Sequence, residues 1–220
     1  IPLVAYCRHS LKPHFDYDNI FRVTKNGLDF FQDLFDYPYP YPKYEQAFVP
    51  EYNIGAMENP GLVTFTEDFI FVSGATEDDL EGRANTICHE MAHMWFGDLV
   101  TMKWWDDLWL KESFADFMGA LGAIEANGFN DAWVTFANHR KSWAYLQDQL
   151  PTTHPIVADI PHLEAAAQNF DGITYAKGAS TLKQLVSYVG FDTFIEAARV
   201  YFKRFAWGNT SLQDFLDVLN

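Results

Sequence analysis

Over residues 16–35, Ile20, Phe21, Val23, Leu28, Phe31, Leu34 and Phe35 recur broadly at helical spacing. The pattern predicts a helix there, weakened in its middle by Gly27. Ahead of it, residues 1–15 read as extended. Behind it, the run Tyr37-Pro38-Tyr39-Pro40-Tyr41-Pro42 stops any helix and predicts a rigid turn. Strand signals fill residues 43–73: Phe48-Val49, Leu62-Val63-Thr64-Phe65 and Phe69-Ile70-Phe71-Val72 are rich in β-formers. Gly55, Pro60 and Gly61 punctuate them, so a small sheet is expected.

From Thr76 onward the pattern turns helical. Thr76 followed by Glu77, Asp78 and Asp79 places a capping hydroxyl before acids in the first turn. That helix should run to about Phe96, with Gly97 as its stop. A second helix is predicted from about Leu108 to Asn127, closed by Gly128. Others follow near 131–149, 173–189, 192–206 and 211–219, with Pro151, Pro155 and Pro161 marking a long loop. Strands come first and helices after, so the expected class is α+β. A sheet-containing lobe over 1–75 would precede a helical lobe over 76–220.

With 220 residues the chain is long enough for one sizeable core or two small lobes. No apolar run approaches the roughly 18 to 20 residues that span a bilayer. A formal net charge of −15 argues against nucleic acid and anionic membrane as partners. It suits cationic ligands, such as peptides with a free α-ammonium. Cys7 and Cys88 make no disulfide framework and favour a reducing compartment; the cytoplasmic expectation rests on the missing signal-peptide pattern. The start, Ile1-Pro2-Leu3-Val4, lacks an initiator methionine and the pattern of a signal peptide, so the chain reads as a piece of something longer.

The most specific chemistry lies in His89-Glu90-Met91-Ala92-His93, followed 19 residues after His93 by Glu112. Positions i and i+4 share one helix face, about 6 Å apart along the axis. Both histidines can therefore aim a ring nitrogen at one metal, with Glu112 as third ligand from the next helix. Two histidines and one glutamate leave a coordination position open, the arrangement of a catalytic zinc rather than a structural one. Glu90, turned about 100° round the helix, can serve as proton acceptor without ligating. Asp116, one turn after Glu112, can hold the far nitrogen of a ligating histidine; a solvated helix acid is the equal alternative.

These residues resemble the gluzincin aminopeptidases, the group containing aminopeptidase N and the leukotriene hydrolases. The G-[AG]-M-E-N signature stands as Gly55-Ala56-Met57-Glu58-Asn59. The stretch from His89 to Thr101 reads much as in aminopeptidase N, and Ile173-Thr174-Tyr175-Ala176-Lys177-Gly178-Ala179 is a third match. The resemblance implies a thermolysin-like catalytic domain holding one zinc ion, with peptides bearing a free amino terminus as substrates. It implies that Glu58 binds the substrate ammonium and that the Gly55, Ala56, Met57 and Asn59 segment binds the peptide, the backbone of the first three as an added strand. It implies that Tyr175 donates a hydrogen bond to the oxyanion. An N-terminal β-domain and a C-terminal helical domain, both usual in the family, would lie outside this chain. Two alternatives accompany it. An additional epoxide hydrolase activity is disfavoured by Ala56, where such relatives tend to carry glycine. A non-catalytic peptide-binding protein is disfavoured by the intact Glu90 and Tyr175. Ser113 departs from the glycine frequent after the third ligand.

Overall fold

A computed structural model describes all 220 residues. A four-stranded sheet is built from β1 (Leu3–Cys7), β2 (Tyr44–Val49), β3 (Ala56–Met57) and β4 (Leu62–Thr66), in the order β1-β2-β4-β3. The first three in that order run parallel; β3 pairs antiparallel to β4 and forms an edge. The crossover from β1 to β2 is α1 (Tyr17–Phe35), capped by Asp16. In β2, alternate side chains Tyr44, Gln46 and Phe48 turn inward, the period-2 pattern of a sheet with one covered face. Gln46 donates there from Nε2 to Thr24 Oγ1 of α1 at 2.8 Å, while its Oε1 has no partner.

The helical remainder comprises α2 (Glu77–His93), α3 (Leu108–Glu125), α4 (Ala132–Thr135), α5 (Lys141–Asp148), α6 (Leu163–Gln168), α7 (Gly178–Val189), α8 (Phe191–Phe205) and α9 (Leu212–Leu219). A second, two-stranded sheet joins β5 (Thr101–Met102) to β6 (Asn209–Thr210). The α+β class expected from the pattern is the class observed. One cluster of 40 buried apolar residues runs from Ile20 in α1 through Trp95 to Phe215 in α9. The Tyr/Pro run is a turn: Tyr39 packs edge-on against Trp95, whose indole donates to the Tyr37 carbonyl at 3.1 Å.

Several local expectations need correction. Residues 9–14 form a 3₁₀ turn rather than extended chain. Residues 69–72 are not a strand: Thr66 caps a 3₁₀ turn over Glu67–Phe69, which takes the chain off the sheet. Helix α2 ends at His93, short of Phe96, because the chain folds back and Gly97 at φ +136° lets it do so. The helix predicted over 131–149 contains a π-helical turn at Phe136–Arg140, and another, Ile173–Lys177, opens the next predicted helix. The long loop holds the short helix α6.

What brings the motif residues together is the contact of α2 with α3. A Cβ added to Gly122 would lie 3.0 Å from the Cys88 side chain, so glycine lets α3 approach α2 this closely without displacing that neighbour. At that spacing a carboxylate from the second turn of α3 reaches the end of α2.

Candidate metal centre and substrate cleft

His89 and His93 leave the last turns of α2 on one face, as their spacing dictates. Their Nε2 atoms stand 3.2 Å apart. Glu112 Oε2 lies 3.1 Å from the Nε2 of His93 and 3.6 Å from that of His89. All three side chains are buried.

The far side of each ring fixes its tautomer. His93 Nδ1 is 3.1 Å from the Phe96 carbonyl, which can only accept, so this nitrogen donates. His89 Nδ1 is 3.2 Å from Asp116 Oδ1 and donates likewise. Both Nε2 atoms then present lone pairs to each other and to a carboxylate oxygen. Three converging acceptors repel one another unless positive charge lies among them. As protein groups alone they hold it as protons. Burial pulls His89 down, but the hydrogen bonds it donates to Asp116 and Glu112 outweigh it and push the ring up to about 10. Glu112 is buried too, yet Lys111 and His93 hold it well below the carboxylate range. The donor set fits a divalent cation of the zinc type: two imidazole nitrogens and one carboxylate oxygen, all within 4.8 Å of one another.

Glu90 is buried beside this centre, and its Oε2 has no hydrogen-bond partner. Burial pushes its carboxyl up to about 7, against the opposing pull of His89 and His93. An orphaned carboxylate oxygen at a charged centre is the arrangement of a proton acceptor without a structural duty.

A cleft of about 840 Å³ opens over these groups. Ile54 to Glu58 form one wall, with Ala56 and Met57 on the free edge of β3. A side chain added at Gly55 would meet nothing within 4 Å, so the backbone there is open to the cleft. Glu58 is buried, and Lys111 Nζ lies 2.5 Å from its Oε1. Burial would raise the Glu58 carboxyl, but the charges of His93 and Lys111 prevail and keep it lowered. Asn59 does not line the cleft. Its amide donates to Thr64 Oγ1 at 3.0 Å and fastens the turn between β3 and β4. Tyr175 enters from the π-helical turn, its ring stacked on His89 with centroids 6.0 Å apart. Burial, with Glu112 and Glu90 adding to it, raises its phenol far above the ordinary range, so it remains a donor.

Comparisons with known proteins give the family. A family model described as the peptidase family M1 domain matches residues 20–220. The chain belongs to peptidase family M1. Among M1 relatives, it is 58% identical over 221 residues to an aminopeptidase N from Streptomyces lividans, covering 100% of this chain and 26% of that protein. It is 41% identical over 198 residues to a probable aminopeptidase 2 from Sulfurisphaera tokodaii, covering 90% and 25%. A leucyl aminopeptidase from Saccharolobus solfataricus is 38% identical over 194 residues, covering 88% and 25%. The chain thus spans about a quarter of the length of the curated relatives it matches.

Two residues of the candidate site, Lys111 and Arg140, escape motif reading, and a third, Ser113, was visible only as a departure from glycine. Lys111 bridges Glu58 and Glu112, lying 2.9 Å from the Oε1 of the latter. Its position before the third ligand was visible, but not that its stem turns back into the cleft. Arg140 chelates Asp116 at 2.6 to 3.0 Å and lies over the Tyr175 ring at 5.7 Å. It sits in the π-helical turn, which no periodicity announces. Ser113 donates from Oγ to the Thr174 carbonyl at 2.7 Å and so ties α3 to the segment holding Tyr175.

Proposed function

We propose that the protein carrying this chain is a zinc aminopeptidase that hydrolyses the first peptide bond of peptides. One observation carries the reading. A buried, partly neutralised carboxylate, Glu58, stands in the same cleft as the three-ligand centre and the orphaned Glu90. Such a group counts from a substrate's amino end, because Lys111 engages only one of its oxygens and a peptide without an ammonium leaves the other without a charged partner. When bound, zinc supplies Lewis acidity, polarising the scissile carbonyl and acidifying a water.

The chain's own groups do the rest. His89, His93 and Glu112 hold the ion, and Asp116 and the Phe96 carbonyl orient the two rings. Glu90 takes the attacking water's proton and returns it to the leaving amine. Tyr175, held as a donor, hydrogen-bonds the carbonyl oxygen as it becomes negative. The backbone of Gly55, Ala56 and Met57 pairs with the peptide as a further strand on the β3 edge, and Asn59 braces the turn that presents Glu58. Lys111 shares Glu58 with the substrate ammonium and tempers its charge. In this reading residues 1–75 form the lobe that grips the peptide backbone and 76–220 the lobe that holds the metal. A reducing setting is part of the proposal, supported by the free thiols of Cys7 and Cys88.

The test compares an alanyl-anilide with its N-acetyl form on the full-length protein. The free amine should be cleaved about 10-fold faster or more, since the acetyl form forfeits a charge-assisted hydrogen bond to Glu58 that Lys111 satisfies only in part. Equal rates would dismiss the exopeptidase reading.

A further inference from the structure

The cleft continues well beyond the metal-binding residues. Glu81, Asn85 and His89 follow one another at i, i+4 and i+8 along α2, and all three line it. Past Glu81 lies a second hollow of about 270 Å³, between the start of α2 and the loop of residues 128–131. Asp78 and Glu81 line both spaces, so the hollow adjoins the cleft's far end. Glu77 and Asp131 complete its acidic lining.

None of these four carboxylates takes part in an ion pair. The two fixed cations of the cleft are committed elsewhere, Lys111 to Glu58 and Glu112, Arg140 to Asp116. Glu81 is only 6% exposed and yet has no hydrogen-bonding or charged partner within the chain. Glutamate so buried is ordinarily paired. The carboxylates do not converge as the histidine–glutamate triad does: only that triad brings three ligand atoms within 4.8 Å. The hollow therefore suits a long cationic side chain better than a metal ion.

We propose that Glu81 and Asp78 form a subsite for a lysine or arginine side chain of the substrate, two or three residues beyond the scissile bond. The inference rests on the aminopeptidase reading, which sets the amino end at Glu58 and sends the remainder of the peptide along α2. The register follows from helix and strand geometry. Glu81 precedes His89 by eight residues, about 12 Å along the axis. An extended peptide advances about 3.3 Å per residue, so two or three residues plus a long side chain cover the distance. The third and fourth residues of the substrate are the ones selected.

The experiment measures kcat/KM of the zinc-loaded full-length protein on tetrapeptide amides with lysine, leucine or glutamate at position three or four. Alanyl-anilide serves as a substrate too short to reach Glu81. Lysine should exceed leucine by about tenfold, as one charge-assisted hydrogen bond allows, with glutamate below leucine. The preference should shrink as salt is raised. In Glu81→Gln and in Asp78→Asn the lysine-to-leucine ratio should fall towards one. Because the readout is a ratio within each variant, a general change in rate does not disturb it. A ratio near one in the unaltered protein, with the anilide still cleaved, overturns the subsite. So does a ratio that survives both substitutions. Failure to cleave even the anilide removes the aminopeptidase reading and this inference together.

Discussion

Glu90→Gln should stabilise the metal-free protein while abolishing its chemistry. Glu90 is buried, and its carboxyl is raised from 4.5 to about 7. A carboxyl with a raised folded pKa favours folding while it is protonated. That advantage is complete below the unfolded value and is lost as pH rises through about 7. At pH 8 the ionised group costs about 3 kcal/mol, taking 1.36 kcal/mol for each of roughly 2.5 pH units. Glutamine keeps the shape and removes the charge, but His89 and His93 lose some of their own support. A net gain of about 1–3 kcal/mol is expected at pH 8 and close to none at pH 5. Thermal unfolding in a chelator at both pH values reads this directly. In the zinc-loaded protein the same change should lower kcat by about 10²- to 10⁴-fold, the usual worth of a positioned base. A variant no more stable than the parent at pH 8, or equally stabilised at both pH values, would refute the argument about Glu90's burial. Activity within tenfold of the parent would refute its role.

Two further outcomes follow from the packing around the site. A Cβ at Gly178 would lie 2.0 Å from Ser113 Oγ, so Gly178→Ala must displace the hydroxyl from the Thr174 carbonyl. It should cost about 1–3 kcal/mol, and adding Ser113→Gly should recover much of that loss in a double-mutant cycle on thermal stability; strict additivity would count against the clash. Arg140→Met should loosen Asp116 from His89 and weaken zinc affinity about 10- to 100-fold in competition with a chromophoric chelator, with Arg140→Lys recovering part of it. Unchanged affinity would show that Asp116 holds the ring unaided.

The candidate metal centre was legible because its determinants are short-range. An i, i+4 pair on one helix face needs nothing from the rest of the chain, and Glu112 sits on a helix whose start and end are marked by local residues. The capping hydroxyl of Thr76 was visible for the same reason, and the structure closes it into a box with Asp79. Phe69-Ile70-Phe71-Val72 misled because β-forming composition reports a preference for burial, while the 3₁₀ turn that removes it from the sheet depends on the Thr66 cap. Lys111 and Arg140 were hidden for a different reason. Each acts through a carboxylate 24 or more residues distant, Glu58 and Asp116 respectively, and such pairings exist only once α3 has packed. The π-helical turn that presents Tyr175 leaves no trace in residue spacing, so that tyrosine was reached through resemblance alone.

The central claim is that His89, His93 and Glu112 hold one zinc ion beside a base that does not ligate it. Zinc content per chain, measured on the purified protein, His93→Ala and Glu90→Gln, tests it most directly. The account predicts one zinc in the parent, none retained in His93→Ala, and one in Glu90→Gln. Zinc missing from the parent after loading, or retained in His93→Ala, or lost with Glu90, would contradict it.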